Sequence, residues 1–265
     1  MRTTCRPAGF IVPEGEHMNL TTQQLTKEFP EIHGRAFKLG PIDLVVHSGE
    51  VLGVLGKNGA GKSTLFELLT GSLDATEGSV KLNDHAMNPD ATAVRRMVGY
   101  MPQGLRLPKW VSAAELLQYA AKLHDVSDVR ATVERTISYW DITSYQHLPV
   151  AACSGGMQKR TGLALATIHN PDLLILDEPF EALDLVHIRA LEMEIERRRR
   201  CGKISLVSTH IADYAARLCT GIVTLDEGHL AADPSWADGD AMVRKQKIES
   251  VFDRLVGKSQ TELHP

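Results

Sequence analysis

The chain has 265 residues and a formal net charge of -4, with 43% hydrophobic and 23% charged residues. That length holds one large domain or two small ones with a full core, and the acidic balance gives no argument for a nucleic-acid partner. Cys5, Cys153, Cys201 and Cys219 are scattered with no C-x-x-C pair, which predicts reduced thiols in a cytoplasmic setting and neither a disulfide framework nor a zinc site.

Residues 1–18 carry Arg2, Arg6, Pro7, Pro13, Glu14 and Glu16 and no apolar stretch. They read as a flexible extension rather than a signal peptide. No apolar run approaches the ~18 residues that span a bilayer, so any membrane part is expected on another chain. Strand-like runs then follow at Ile42–Val46, Val51–Leu55, Ser79–Leu82 and Met97–Met101. From about 104 to 150 the pattern turns helical. Ser112 and Glu115 form a capping box, with Leu116, Ala120 and Leu123 expected on one face. A second helix is expected over 127–140, with Val129, Val133, Ile137 and Trp140 on its apolar face. Pro149 marks the end of this insert. Further runs lie at Leu173–Leu176, Ile204–Ser208 and Ile222–Leu225. The runs ending at Leu55, Leu176 and Ser208 are almost wholly apolar, as strands covered on both faces of a parallel sheet are. Between the first two of these later runs, Glu192 to Arg200 is a charge run that reads as a solvated helix face with Glu194–Arg198 and Glu196–Arg200 pairs. The whole predicts a layered α/β fold with an inserted helical subdomain.

Chemistry concentrates in three places. Gly56-Lys57-Asn58-Gly59-Ala60-Gly61-Lys62-Ser63 fits G-x-x-x-x-G-K-[S/T] between a buried strand and a helix start. Its glycines let the backbone amides turn inward on nucleotide phosphates, Lys62 reaches the β- and γ-phosphates, and the Ser63 hydroxyl can ligate Mg²⁺. The strand Leu173–Leu176 ends in Asp177 and Glu178. Asp177 is placed to hold Mg²⁺ through oxygen, and Glu178 to polarise a water for in-line attack on the γ-phosphate. Ser154-Gly155-Gly156 opens a helix, where hydroxyl, free amides and helix dipole all favour phosphate.

In order along the chain stand the phosphate loop, Gln103 after Tyr100-Met101-Pro102, Ser154-Gly155-Gly156, Asp177-Glu178, Glu181-Ala182-Leu183-Asp184 and Ser208-Thr209-His210. With these motifs the chain resembles a nucleotide-binding domain of the ATP-binding cassette (ABC) transporter superfamily over about Leu20 to Gly228. The resemblance implies a P-loop NTPase core with a mixed, mostly parallel sheet, N-terminal antiparallel strands and an inserted α-helical subdomain. It implies an ATPase domain over 19–230, with the helical subdomain at about 104–150 and a short helical tail at 231–265. ATP and Mg²⁺ are the implied cofactors. Gly56 to Ser63, Thr64 and Gln103 would bind ATP; Phe29 falls where the family stacks an aromatic on adenine. Ser63, Gln103 and Asp177 would serve the metal, and Glu178, His210 and Lys62 catalysis. Ser154, Gly155 and Gly156 would meet the nucleotide of a second ABC subunit, homo- or heteromeric, with Asp184 in the D-loop at the seam. Three positions depart from the family: Cys153 replaces Leu, Lys57 a common Pro, and Glu181 a small or amide residue.

The single cassette resembles the separate-subunit transporters of prokaryotes. Ser-Gly-Gly-Met-Gln-Lys-Arg and the ending Ile248 to Leu255 resemble the exporter branch for drugs, antibiotics or peptides. An integral membrane permease is then the expected partner, and the cytoplasmic face of the cell membrane the expected location. A soluble cassette ATPase of translation or DNA repair, an importer subunit, and a regulatory module without turnover stand as alternatives. Such modules tend to lose the glutamate or the histidine, and this chain keeps both.

Overall fold

The computed structural model describes residues 18–32, 35–232 and 241–261, so the expected N-terminal extension lies outside the described residues apart from Met18. Strands β1 (Asn19–Ile32), β2 (Arg35–His47), β4 (Glu77–Leu82) and β5 (His85–Ala86) form an antiparallel sheet in the order β2-β1-β4-β5. A second sheet combines β3 (Val51–Gly56), β6 (Val98–Met101), β7 (Leu173–Leu176), β8 (Ile204–Ser208), β9 (Gly221–Asp226) and β10 (His229–Ala232). Its order is β10-β9-β3-β8-β7-β6, all parallel except β10 at one edge.

The three near-continuous apolar runs are the adjacent strands β3, β8 and β7 at the centre. Their side chains alternate between two cores, as the two-residue period of a strand demands. Leu52, Val54, Ile175 and Leu206 face α1 (Lys62–Leu69) and the antiparallel sheet, where they meet Phe66, Leu69, Leu20 and Leu39. Val51, Leu55, Leu174, Leu176 and Val207 face the helices that follow. Strand β1 is absent from the strand-like runs read in the sequence and was implied only by the resemblance, which expects N-terminal antiparallel strands. Its register shifts between Thr22 and Leu25 and again between Leu25 and Lys27, which break the alternation that announces a strand.

After the short α2 (Thr92–Arg95), the insert consists of α3 (Ala113–Leu123) and α4 (Val129–Tyr139). The capping box is present: Glu115 N donates to Ser112 Oγ at 3.3 Å, and Ser112 N donates to Glu115 Oε2 at 2.9 Å. The buried face of α3 is not the expected one. Ala113, Ala114, Leu117 and Ala121 are buried, Leu116 and Ala120 are half-buried, and Leu123 is exposed. Small alanines, which carry little signal by size, set the contact with the neighbouring helices. Helix α4 starts at Val129, two residues later than the expected 127, with Asp128 as its cap; it buries Val133, Ile137 and Trp140 as predicted and leaves Val129 half-buried. A bridge between Ser112 and Pro149 ties the two ends of the insert together.

The charge run on α6 (Leu185–Arg200) also differs from expectation. Glu196 does pair with Arg200 and Arg199, both at 2.7 Å. Glu194, however, pairs with Arg197, and Arg198 is fully buried, donating through Nη2 to Pro171 O at 2.9 Å. Burial lowers the Arg198 guanidinium to about 10. A helix face packed against the loop before β7 is therefore mixed into what looked like a solvated stripe. Cys153 and Cys219 are buried free thiols.

Beneath the insert, α5 (Gly155–Thr167) leads to His169, which stacks on His124 at 3.7 Å between centroids. His169 Nε2 lies 3.2 Å from Val98 O, so Nε2 carries the proton of a neutral ring. Burial, and then the neighbouring His124, depress it from 6.5 to about 3. The folded state therefore binds fewer protons than the unfolded state across that window, and stability falls as pH drops through it, by up to about 1.4 kcal/mol per pH unit. His169→Phe should flatten the acid limb of the unfolding midpoint between pH 6.5 and 4, measured relative to the variant's own midpoint at pH 8, where loss of the bond to Val98 O lowers it uniformly; thermal melts check this. An unchanged acid slope would contradict this origin.

No helix among the described residues is long and apolar enough to cross a membrane. The last helices, α7 (Ala212–Leu218) and α8 (Ala241–Thr261), pack on each other, with Ile248 of α8 wholly buried in the core.

Candidate functional site

Four strands bring their carboxyl ends to one edge of the sheet, in the order β3, β8, β7, β6, with Val54 opposite Ser208 and Leu176 opposite both Val207 and Met101. The segments leaving those ends are the phosphate loop, Thr209-His210, Asp177-Glu178 and Pro102-Gln103. Residues separated by more than a hundred positions thus meet along the edge where open α/β sheets hold ligands.

In the loop, Gly59 and Gly61 have φ of 83° and 107°, a left-handed conformation that glycine adopts without strain. Gly61 is also the N-cap of α1 and offers no side-chain cap, so the first amides of α1 remain available to an anion. Lys62 is buried. Its Nζ donates to Gly56 O at 2.7 Å and Lys57 O at 3.1 Å, curling the ammonium over the loop.

Behind the loop runs a continuous polar chain. Ser63 Oγ donates to Asp177 Oδ2 at 2.7 Å, and Ser208 Oγ donates to Asp177 Oδ1 at 2.5 Å. Glu178 N donates to Ser208 Oγ at 2.8 Å. Glu178 Oε2 lies 3.1 Å from His210 Nδ1, and Lys159 Nζ donates to Glu178 O at 2.6 Å. Asp177 is 1% and Glu178 5% exposed. Burial pushes the Glu178 carboxyl above the usual range, opposed by the neighbouring His210 and Lys62. Glu178 also has φ of 48°, which costs a non-glycine residue about 1–3 kcal/mol. The bonds at its amide and its carbonyl hold it there. Ser63 and Asp177 form an oxygen donor set of the kind a hard divalent cation takes, and they fit Mg²⁺. Gln103 is exposed just past β6, next to Asp177 along the edge, where Asp177 N donates to Met101 O at 2.9 Å.

Phe29 stands at the rim of the loop. It is the cross-strand partner of Phe37, with ring centroids 6.2 Å apart, and the Lys27 ammonium lies 5.6 Å from its centroid. Phe37 in turn packs on the loop: its Cζ is 2.9 Å from where a Cβ on Gly61 would stand. Ser154 caps α5, accepting from Met157 N at 3.3 Å, and Ser154 and Gly155 are exposed. Cys153 is buried beside them. Asp184 caps α6 and is exposed. Glu181 lies with Glu178 and His210, the ligand atoms of all three within 4.8 Å of one another. Glu181 therefore reaches Glu178 and His210 and not only the neighbourhood of Asp184.

Sequence reasoning passed over Ser208, Lys159 and Phe37 as site residues. Ser208 did have a signal, a hydroxyl closing a mostly apolar strand. Phe37 and Lys159 had none, because their contacts depend on strand pairing and on the fold of α5 against β7.

With this geometry in hand, comparison with known proteins is direct. The family model described as ABC transporter matches residues 39–181. An uncharacterised ABC transporter ATP-binding protein of Methanocaldococcus jannaschii is 30% identical over 79% of this chain and 74% of its own length. YxlF, an uncharacterised ABC transporter ATP-binding protein of Bacillus subtilis, is 31% identical over 88% of this chain and 75% of its own. The human phospholipid-transporting ATPase ABCA3 is 31% identical over 79% of this chain, which covers only 13% of that protein. A solved ATP-binding subunit of an ABC transporter superposes with a TM-score of 0.74 over 87% of this chain and 99% of its own, at 25% identity. The chain belongs to the ABC transporter family, as an ATP-binding, ATP-hydrolysing subunit.

Proposed function

We propose that the chain binds Mg-ATP on the sheet edge, closes on a second cassette head to tail, and hydrolyses ATP to drive a separate membrane permease. The observation that carries the reading is the unbroken chain Ser63–Asp177–Ser208–Glu178–His210 behind the phosphate loop. It links the metal-holding oxygens to the proton acceptor through a single buried serine.

The amides of the loop cradle the phosphates, and Lys62 turns from the carbonyls of Gly56 and Lys57 to the β- and γ-phosphates. Ser63 and Asp177, with Gln103 alongside, would hold Mg²⁺, which would supply charge neutralisation at the phosphates. Glu178 takes a proton from the attacking water through its carboxylate, and His210, bonded to it through Nδ1, leaves Nε2 for the γ-phosphate. Water adds to phosphorus as the bond to the ADP oxygen breaks. Phe29 stacks on the base. Ser154 and Gly155, exposed, and the half-buried Gly156 complete the site of the partner cassette, so the γ-phosphate bridges two subunits and its loss releases them.

A permease partner is supported by a cavity of about 350 Å³ between the core and the insert, bordered by Thr70, Arg95, Tyr100, Leu123 and His124. Tyr100 Oη and His124 Nδ1 are buried without a hydrogen-bond partner, and Trp110 and Tyr119 stand exposed on the same subdomain. The exposed aromatics of the insert suit contact with a protein partner. The exporter reading rests on the resemblance of the signature and of the last helix; an importer subunit or a soluble cassette ATPase is the alternative.

The test is recovery of tagged Glu178→Gln protein with ATP from mild-detergent extracts of its native membranes. A stoichiometric polytopic membrane protein is the expected partner. Recovery of ribosomes or DNA-repair proteins instead would overturn the transport reading.

A further inference from the structure

One cluster of polar side chains lies outside the nucleotide site and joins three elements of the fold. Asp184 caps α6, and its Oδ1 accepts from His187 N at 3.0 Å and lies 2.6 Å from His187 Nδ1. The Nδ1 proton of His187 is therefore engaged by a carboxylate, which leaves Nε2 as an acceptor in the neutral ring. Arg160 Nη1, on α5, stands 2.9 Å from that Nε2. The same Nη1 donates to Asp141 O at 2.7 Å and to Asp141 Oδ2 at 2.8 Å, just beyond α4. Nη1 has two protons for three acceptors, so the His187 and Asp141 contacts share them. The guanidinium also sits 5.0 Å from the Tyr145 ring centroid, and Tyr145 Oη donates to Met157 O on the first turn of α5. The side chains of His187 and Arg160 are only 12% and 13% exposed, whereas Asp184 and Asp141 at the two ends are 66% and 72% exposed, so the relay is dry in its middle and open to water at its ends.

A second contact joins the same parts. A Cβ on Gly156 would stand 3.1 Å from Ala182 O, so the backbone of the D-loop rests on the signature glycine. Ala182 is itself held at φ of 60°. The D-loop and the Ser154-Gly155-Gly156 motif are thus joined twice, once by backbone packing and once by the relay Asp184–His187–Arg160–Asp141.

We propose that His187 is a positioning residue of the composite site: it locks Asp184 of the D-loop to Arg160 of the signature helix. Both surfaces that this chain presents to a partner cassette then move as one body with the helical insert. The inference rests on the head-to-tail reading above. It assigns His187 no contact with nucleotide and no step in hydrolysis.

The consequence separates two binding events. ATP binding to the lone chain uses the phosphate loop, which the relay does not touch. Association on ATP uses both locked surfaces at once. In the Glu178→Gln background, His187→Ala should leave the affinity for a fluorescent ATP analogue in the monomer within about twofold. It should raise the ATP concentration needed for dimer formation, followed by size exclusion with light scattering, about tenfold, the effect of losing a hydrogen bond to a charged group. Two conservative variants keep one bond each. His187→Asn retains a donor for Asp184, and His187→Gln retains an acceptor for Arg160. A lock needs both, so each should recover thermal stability but dimerise like the alanine variant. Dimerisation of His187→Ala at the parent ATP concentration would overturn the proposal, and so would full recovery by His187→Asn, which would mean that the cap of α6 alone suffices. If the parent Glu178→Gln chain binds ATP and forms no dimer, the head-to-tail reading fails and this proposal with it. That result is separable, because it appears before position 187 is changed.

Discussion

Glu178→Gln should hold ATP and scarcely turn it over. Removing a general base costs about 10²–10⁴-fold in turnover, and the glutamine amide keeps the size of the side chain and its contact with His210, now 3.1 Å from Glu178 Oε2. The phosphate loop, Ser63 and Asp177 are untouched, so affinity for Mg-ATP should stay within a few-fold of the parent. With the γ-phosphate retained, the closed pair should accumulate. The substitution also removes a buried carboxylate that burial already disfavours in its charged form, so thermal stability should rise or hold. Phosphate release, equilibrium nucleotide binding and light scattering on one preparation check all three. Turnover near that of the parent would show that another group takes the proton, with Glu181, in the same cluster, the first to examine.

Lys62→Ala should abolish the first event instead. The ammonium is the one side-chain cation within the loop that already sits over the carbonyls of Gly56 and Lys57. Losing its charge-assisted bonds to two phosphates should weaken ATP binding about 100-fold or more. Lys62→Arg should not restore it, because a planar guanidinium cannot take the place of a compact ammonium curled into the turn. The fold should survive in both variants, since Lys62 bonds only within its own loop; unchanged far-UV circular dichroism is the control. Near-parental nucleotide affinity in Lys62→Ala would mean that the loop does not bind phosphate in this chain.

How much of this was legible in the sequence depends on how local each feature is. The loop Gly56–Ser63 could be read because its eight residues are contiguous and each has its own chemical reason. The apolar strands before Gly56, Asp177 and Thr209 could be read because burial on both faces leaves few polar interruptions, Ser205 in β8 being one. Their adjacency as β3, β8 and β7 then followed from packing them into one sheet. Features that depend on distant partners were not legible. Arg198 looked like a solvated arginine until the loop ending in Pro171 was found over it. Ser208 acquires meaning only when β8 lies beside β7 and its hydroxyl meets Asp177. The buried face of α3 was missed because alanine packs by being small, which a hydrophobic-moment argument weights against. His187 carried no motif at all; its place between Asp184 and Arg160 comes from the approach of α6 to α5.

The central claim is that the catalytic site is shared between two cassettes, and the dependence of turnover on chain concentration tests it most directly. ATP hydrolysis per chain should rise with protein concentration and level off as dimers fill, because a lone phosphate loop lacks the Ser154-Gly155-Gly156 of a partner. Hydrolysis per chain that stays constant on dilution, at a rate still abolished by Glu178→Gln, would place a complete site within one chain and contradict the account.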